Sequence, residues 1–331
     1  MKKSYAARAA AAVALSLAIA LTAAVPAWAI FGFGKKAADD ETASGAPVAA
    51  NLTLKTYVGI PCRGQFSAVD VEGEDVTYTI SSEPGKGSAV LLDDGISFVY
   101  TPLAGKSGKD SFSYTATDSS GNVSDPATVS VTICKSKTSV TYADMSNNSA
   151  YPSAVRMAEE GVMVGRQVGG QYFFEPDEKV SRSEFLTMAM AAEGVKDLET
   201  ISVTGFQDDD SIPTWAKAYV ATAVDDGIVE GYNDGGKIVF APDSAITFSE
   251  AAAMLNRMLS VSDADKETFA GEDVPAWAAQ SVANLESVDV LSDTSNYNAP
   301  VTRADAAEIL SAAMDLLEAR SDSKGVFAWL K

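Results

Sequence analysis

The chain has 331 residues, 47% of them hydrophobic, enough for two or three domains with real cores, and this excludes a disordered protein. Its 45 acids against 25 basic residues give a formal charge of −20, a sign that argues against nucleic acid or an anionic membrane surface as partner. No histidine occurs anywhere, which excludes histidine triads, HExxH sites and most zinc centres; no cofactor and no metal site is expected.

At the N-terminus, Lys2, Lys3 and Arg8 precede an Ala-rich apolar run and then Ala27-Trp28-Ala29. That order of charged, apolar and small residues predicts a secretory signal peptide over 1–29, cleaved after Ala29; a retained anchor is the alternative. No other segment reaches spanning length, so no membrane span is expected after cleavage. Cleavage removes three basic residues and no acid, moving the charge from −20 to −23. An anionic ligand would therefore have to be held by local cations. Residues 30–45 mix Gly, Ala, Lys and acids without period and read as a linker.

From residue 46 to 134 the pattern is that of short strands. Val76–Ile80 alternates with period two, Ala89–Leu92 and Ile96–Tyr100 flank the hairpin signal Asp93-Asp94-Gly95, and Thr128–Ile133 alternates again. This predicts an all-β sandwich. The stretch from Phe98-Val99-Tyr100-Thr101-Pro102 through Gly108-Lys109-Asp110-Ser111-Phe112-Ser113-Tyr114 to Thr115-Ala116-Thr117-Asp118 resembles bacterial immunoglobulin-like or cadherin-like modules of surface proteins. In such a sandwich the first and last strands can lie side by side. The resemblance therefore implies that Cys62 and Cys134, the only two cysteines, meet as a disulfide. Across so long a loop an unstrained bridge would stabilise by about 4 kcal/mol. Two unpaired thiols remain the alternative. The acids Asp70, Glu72, Glu74 and Asp75 lack a complete calcium loop and read better as a solvated turn.

Beyond a short linker, 135–140, one stretch recurs three times: Val180-Ser181-Arg182-Ser183-Glu184, Ile246-Thr247-Phe248-Ser249-Glu250 and Val301-Thr302-Arg303-Ala304-Asp305. Each is a hydroxyl followed three positions on by an acid, the capping box that starts a helix. Apolar residues at helical spacing follow each copy. Upstream come aromatic-x-Asp openings (Tyr142-Ala143-Asp144 and Phe206-Gln207-Asp208, less cleanly Phe269 with Asp273) and a first helix beginning near Tyr151, Trp215 or Trp277. The first two helices run into Gly161-Val162-Met163-Val164-Gly165 and Gly227-Ile228-Val229-Glu230-Gly231, and loops with Phe174-Glu175-Pro176-Asp177 and Phe240-Ala241-Pro242-Asp243 lead to the capping boxes. Arg182 follows Gly161 by 21 positions and Phe248 follows Gly227 by the same 21, whereas Arg303 lies only 14 beyond Asp289. The third copy lacks both glycines.

These motifs, in this order, resemble the S-layer homology domain as three tandem copies, 141–195, 204–262 and 267–320, followed by a tail, 321–331. The resemblance implies an all-α, mainly helical bundle with pseudo-threefold symmetry. It also implies a function: non-covalent anchoring of an exported protein to the cell wall or cell surface through a cell wall polysaccharide, either a secondary cell wall polymer, often with pyruvylated sugars, or a peptidoglycan-linked glycan. A helix N-terminus already favours an anion, and an Arg one residue after the cap adds a planar fork suited to a carboxylate. The expected glycan-binding set is Arg182 and Arg303 with the caps Ser181, Glu184, Thr302 and Asp305, the groove glycines Gly165 and Gly231, and Tyr232 as a stacking face. Trp215 is the other first candidate for stacking on a sugar ring, but a Trp that opens an amphipathic helix is more often core, and Trp215 and Trp277 are read as core. Phe248 replaces the Arg of the second copy, and its pocket is expected to be silent unless Lys217 or Lys237 substitutes. The chain is thus read as a binding protein with no catalytic residues. The alternatives are an adhesin or S-layer structural protein, or a cell-wall enzyme accessory subunit, and self-association in a surface layer is left open.

Overall fold

The structure, a computed structural model, describes residues 45–196, 198, 203–266, 274–292 and 296–327, with side chains as far as residue 321. The signal peptide, nearly all of the first linker, Phe269, Asp273 and the side chains of the apolar tail lie outside the described residues. The chain divides into two compact units, Met1–Lys135 and Ser136–Lys331.

The first unit consists of strands: β1 (Val48–Ala49), β2 (Leu52–Tyr57), β3 (Cys62–Gln65), β4 (Ala68–Val69), β5 (Thr77–Ser82), β6 (Gly87–Leu91), β7 (Ser97–Pro102), β8 (Gly108–Thr117) and β9 (Ala127–Cys134). A four-stranded sheet runs β2-β9-β8-β5, a three-stranded sheet runs β3-β7-β6, and β1 pairs with β4. Period-two alternation drives the packing. In β9, Ala127, Val129, Val131 and Ile133 are buried while Thr128 and Ser130 face out. Phe66 stacks between Phe98 at 4.4 Å and Tyr114 at 4.2 Å, the centre of an aromatic core. The Asp93-Asp94-Gly95 turn joins β6 to β7, with the Asp94 carboxylate accepting from the N–H groups of Ile96 and Ser97 at 3.0 and 2.7 Å.

The expected disulfide is not formed; Cys62 and Cys134 are both free. The first and last long strands, β2 and β9, do lie side by side and parallel, but Cys134 pairs with Tyr57 there while Cys62 belongs to the other sheet, opposite Tyr100. Alternation then separates the sulfurs: Ile133 points inward, so its neighbour Cys134 points away from the core that buries Cys62. The acidic turn is tied up internally. Glu74 accepts from both the N–H and the hydroxyl of Ser120 and from the Ser119 hydroxyl, bonds that hold its carboxyl below the usual range. Asp70 accepts from the Glu74 N–H at 2.9 Å, and Glu72 from the Gly45 N–H at 3.0 Å.

The second unit is mainly helical: α1 (Tyr151–Glu159), α2 (Arg182–Glu193), α3 (Thr214–Asp225), α4 (Phe248–Leu259), α5 (Ala279–Glu286) and α6 (Arg303–Phe327). It is not all-α. Two hairpins, β10 (Arg166–Val168) with β11 (Gln171–Phe173) and β12 (Tyr232–Asp234) with β13 (Lys237–Val239), occupy the loops that follow the Gly-aliphatic turns. Their two-residue Gly-Gly turns, all at positive φ, are the hairpin signal that sequence reading passed over.

All three capping boxes form. In each, the hydroxyl accepts from the backbone N–H of the acid, and the acid accepts from the backbone N–H of the cap. The segments just before them close a ring. Val180 N–H donates to Val301 O at 3.0 Å, Val301 N–H to Ile246 O at 2.8 Å, and Ile246 N–H to Val180 O at 3.0 Å. Helices α2, α4 and α6 therefore start from one junction and share one core, in which Phe185, Leu186, Leu255 and Leu310 are buried. No described helix is long and apolar enough to cross a membrane.

Candidate functional site

The repeated motifs first build a scaffold. Asp144 accepts from the N–H groups of Phe174 and Glu175 at 2.9 and 2.7 Å, and Asp208 does the same for Phe240 and Ala241 at 2.9 and 2.7 Å. These bonds hold Glu175 and Ala241 at positive φ, 58° and 54°, ahead of the two prolines. Gly165 and Gly231 are required sterically: a Cβ would lie 2.4 Å from Phe173 O in the first case and 2.6 Å from Val239 O in the second. They let each turn run directly beneath its hairpin.

On this scaffold lie two grooves. The first, about 390 Å³, is lined by the Val162–Arg166 turn, by Glu184, Thr187 and Met188, and by Trp215 and Arg303. The second, about 560 Å³, is lined by the Ile228–Tyr232 turn, by Glu250, Ala253, Met254 and Arg257, and by Trp277 and Arg182. Each groove thus combines the turn and capped helix of one copy, the tryptophan of the next and the arginine of another. Phe248 therefore does not leave the second groove without an arginine, because Arg182 lines it from the first copy. Lys217 does not substitute; it pairs with Asp209 at 2.6 Å.

If the sharing seen in the first two grooves were continued, the two departures seen in the sequence would fall on one third set of positions. The third copy's turn carries Asp289, at φ 56° where Gly161 and Gly227 stand at 69°. The arginine position is Phe248, and Ser149 takes the place of the tryptophan. Ser149 donates to Glu308, the counterpart of Thr187 and Ala253, at 3.2 Å. Burial pushes the Asp289 carboxyl above its ordinary value.

Ser181, Thr302 and Asp305 satisfy helix starts, as does Glu184, which also lines the first groove. Arg182 is 5% exposed: its Nε donates to Phe240 O at 2.9 Å, it lies 3.1 Å from Glu250, and it sits over the Tyr232 ring. Arg303 donates through Nε to Phe174 O at 2.7 Å and forms no ion pair among the described residues. Of the two arginines, Arg303 is the one without a carboxylate within ion-pair distance among the described residues.

Trp215 and Trp277 are not core; they are 53% and 62% exposed. The sequence held the signal. Ala216, Val220 and Ala223 form the buried stripe of α3, so Trp215 lies one residue, about 100°, off that stripe, and Trp277 stands in the turn just before α5. Arg166, Lys179 and Arg257 were also missed as groove residues.

Residues 44–135 match the bacterial cadherin-like domain family and residues 205–252 match the S-layer homology domain family. The chain therefore carries a cadherin-like, immunoglobulin-like domain and an S-layer homology domain. A stretch of 126 residues, 37% of this chain and 11% of the relative, is 32% identical to the exoglucanase XynX of Acetivibrio thermocellus. Another comparison, over 38% of this chain and 10% of the relative, gives 29% identity to the surface-layer 125 kDa protein of Lysinibacillus sphaericus. The chain thus spans about a tenth of the length of these curated relatives. Among solved structures, the endo-fucoidan hydrolase MfFcnA4 of glycoside hydrolase family 107 is 21% identical over 29% of this chain and 14% of its own, at a TM-score of 0.24. That likeness is too remote to bear on function.

Proposed function

We propose that residues 136–331 comprise three S-layer homology repeats in a pseudo-threefold bundle, and that this unit anchors the chain non-covalently by holding an acidic cell wall polysaccharide in its first two grooves. The S-layer homology domain and the similarity to surface proteins indicate a location at the cell wall or cell surface. The protein acts by binding, not catalysis, and displays the sandwich outside the cell.

The observation that carries this reading is the pair of grooves, each joining an exposed tryptophan to a guanidinium supplied by another repeat. An indole face suits the apolar face of a sugar ring, and a charge-assisted bond from arginine to a carboxylate contributes about 1.5 to 3 kcal/mol. Two grooves on one rigid unit reinforce one another through effective concentration.

The test is sedimentation of the full-length protein with purified cell walls, before and after chemical removal of the wall polymer. Wild type should sediment only with intact walls. A double variant, Trp215→Ala with Trp277→Ala, should stay in solution at an unchanged melting temperature. Equal sedimentation of that variant would overturn the proposal.

A further inference from the structure

The two grooves differ in how their charges are balanced. In the second, Arg182 faces Glu250 at 3.1 Å and Arg257 faces Glu230 at 3.1 Å, so both guanidiniums are already neutralised by carboxylates of the groove itself. In the first, Arg166 is paired with Glu175, while Arg303 and Lys179, like the lining acids Glu178 and Glu184, form no ion pair among the described residues. Position for position, Arg166 of the first turn stands where the second turn carries Tyr232. The exposed tryptophan is common to both.

Resting on the anchoring reading above, we propose that the grooves take chemically different units of one glycan: the first a carboxylated sugar, the second an uncharged one. A carboxylate entering the first groove gains the unpaired Arg303 fork and the Lys179 ammonium. The same carboxylate entering the second would have to displace Glu250 or Glu230 before it reached a guanidinium. An uncharged ring loses nothing there, because it stacks on Trp277 and leaves both ion pairs in place. The division gives the anchor a reading frame along a polymer of alternating charge, which two identical grooves would lack.

The experiment uses the full-length protein labelled with 5-fluorotryptophan. The fluorine resonances of Trp215 and Trp277 are assigned by Trp215→Phe and Trp277→Phe, so each groove reports separately. The probes are the polysaccharide released from the producing cells' walls and the same material after its carboxyl groups have been reduced to alcohols. Native glycan should shift both resonances. Reduced glycan should shift Trp277 alone, the Trp215 response weakening about tenfold or more, which is about 1.4 kcal/mol or more. Arg303→Gln should reproduce that pattern with native glycan. Raising salt from about 50 to about 500 mM should weaken the Trp215 response more than the Trp277 response.

If Trp215 responds equally to native and reduced glycan, or if reduction abolishes the Trp277 response, the division is overturned while wall anchoring stands. If neither tryptophan responds to native glycan, the anchoring reading fails and the division with it.

Discussion

The two units treat their conspicuous residues in opposite ways. In the sandwich, the groups that look reactive are turned to the fold itself: the acidic turn accepts hydrogen bonds from Ser119, Ser120 and its own backbone, and Cys62 is buried against the core. In the helical unit, residues suited to a core stand at the surface, with Trp215 and Trp277 more than half exposed beside arginines. On the anchoring reading proposed above, an exposed tryptophan beside a cation serves a ligand, since an indole face and a guanidinium together suit an acidic sugar. Polar residues that satisfy one another, as in the sandwich turn, point only to folding.

Substitutions should separate the two behaviours, most strongly in the sandwich core. Phe112 is 1% exposed, and Phe112→Ala should cost about 3 to 5 kcal/mol in the sandwich, read from its circular-dichroism transition in urea. Gly231→Ala comes next in the helical unit, at about 2 to 4 kcal/mol, because it adds a Cβ 2.6 Å from Val239 O to the strain of φ 69°. Gly227→Ala carries the same φ but meets nothing within 4 Å, and should cost only about 1 to 2 kcal/mol by tryptophan-detected unfolding. Equal costs at the two sites would mean that close approach to the hairpin is unimportant.

Trp277→Ala should change stability by less than about 0.5 kcal/mol while reducing wall retention, measured by sedimentation. A marked drop in melting temperature would return that residue to a structural role. The smallest effect concerns the thiols. Burial pushes Cys62 up to about 12, so its thiolate is scarce at any working pH, while Cys134 is only partly buried. Maleimide at neutral pH should label one cysteine per native chain and two in denaturant. No label in denaturant would show that the oxidised bridge forms after all.

Much of the architecture was legible from local patterns. The alternation of Thr128–Ile133 predicts a strand with one buried face, and β9 is that strand. The hydroxyl-x-x-acid boxes predict three helix starts at Arg182, Phe248 and Arg303, and α2, α4 and α6 begin at those residues. The site was legible only in part. Arg182 and Arg303 were found because they recur at one offset from a cap, yet their inequality depends on Glu250, which lies 68 positions from Arg182 in sequence but 3.1 Å from it in space. The Trp215 error had a different origin: residue type was weighed above helical phase, and phase decides which face a side chain occupies.

By itself the sequence determined where helices and strands begin, because capping boxes, period-two runs and Gly turns act over three or four residues and need no distant partner. It also determined that three equivalent segments exist. Only the tertiary structure decided how those segments share their residues. Once Val180, Ile246 and Val301 join in a ring of hydrogen bonds, each arginine is delivered to a neighbouring copy's groove. Phe248 and Asp289 then line neither of the two grooves. The cysteines obey the same logic: β2 and β9 do run side by side, but the inward register of Ile133 turns Cys134 away from Cys62.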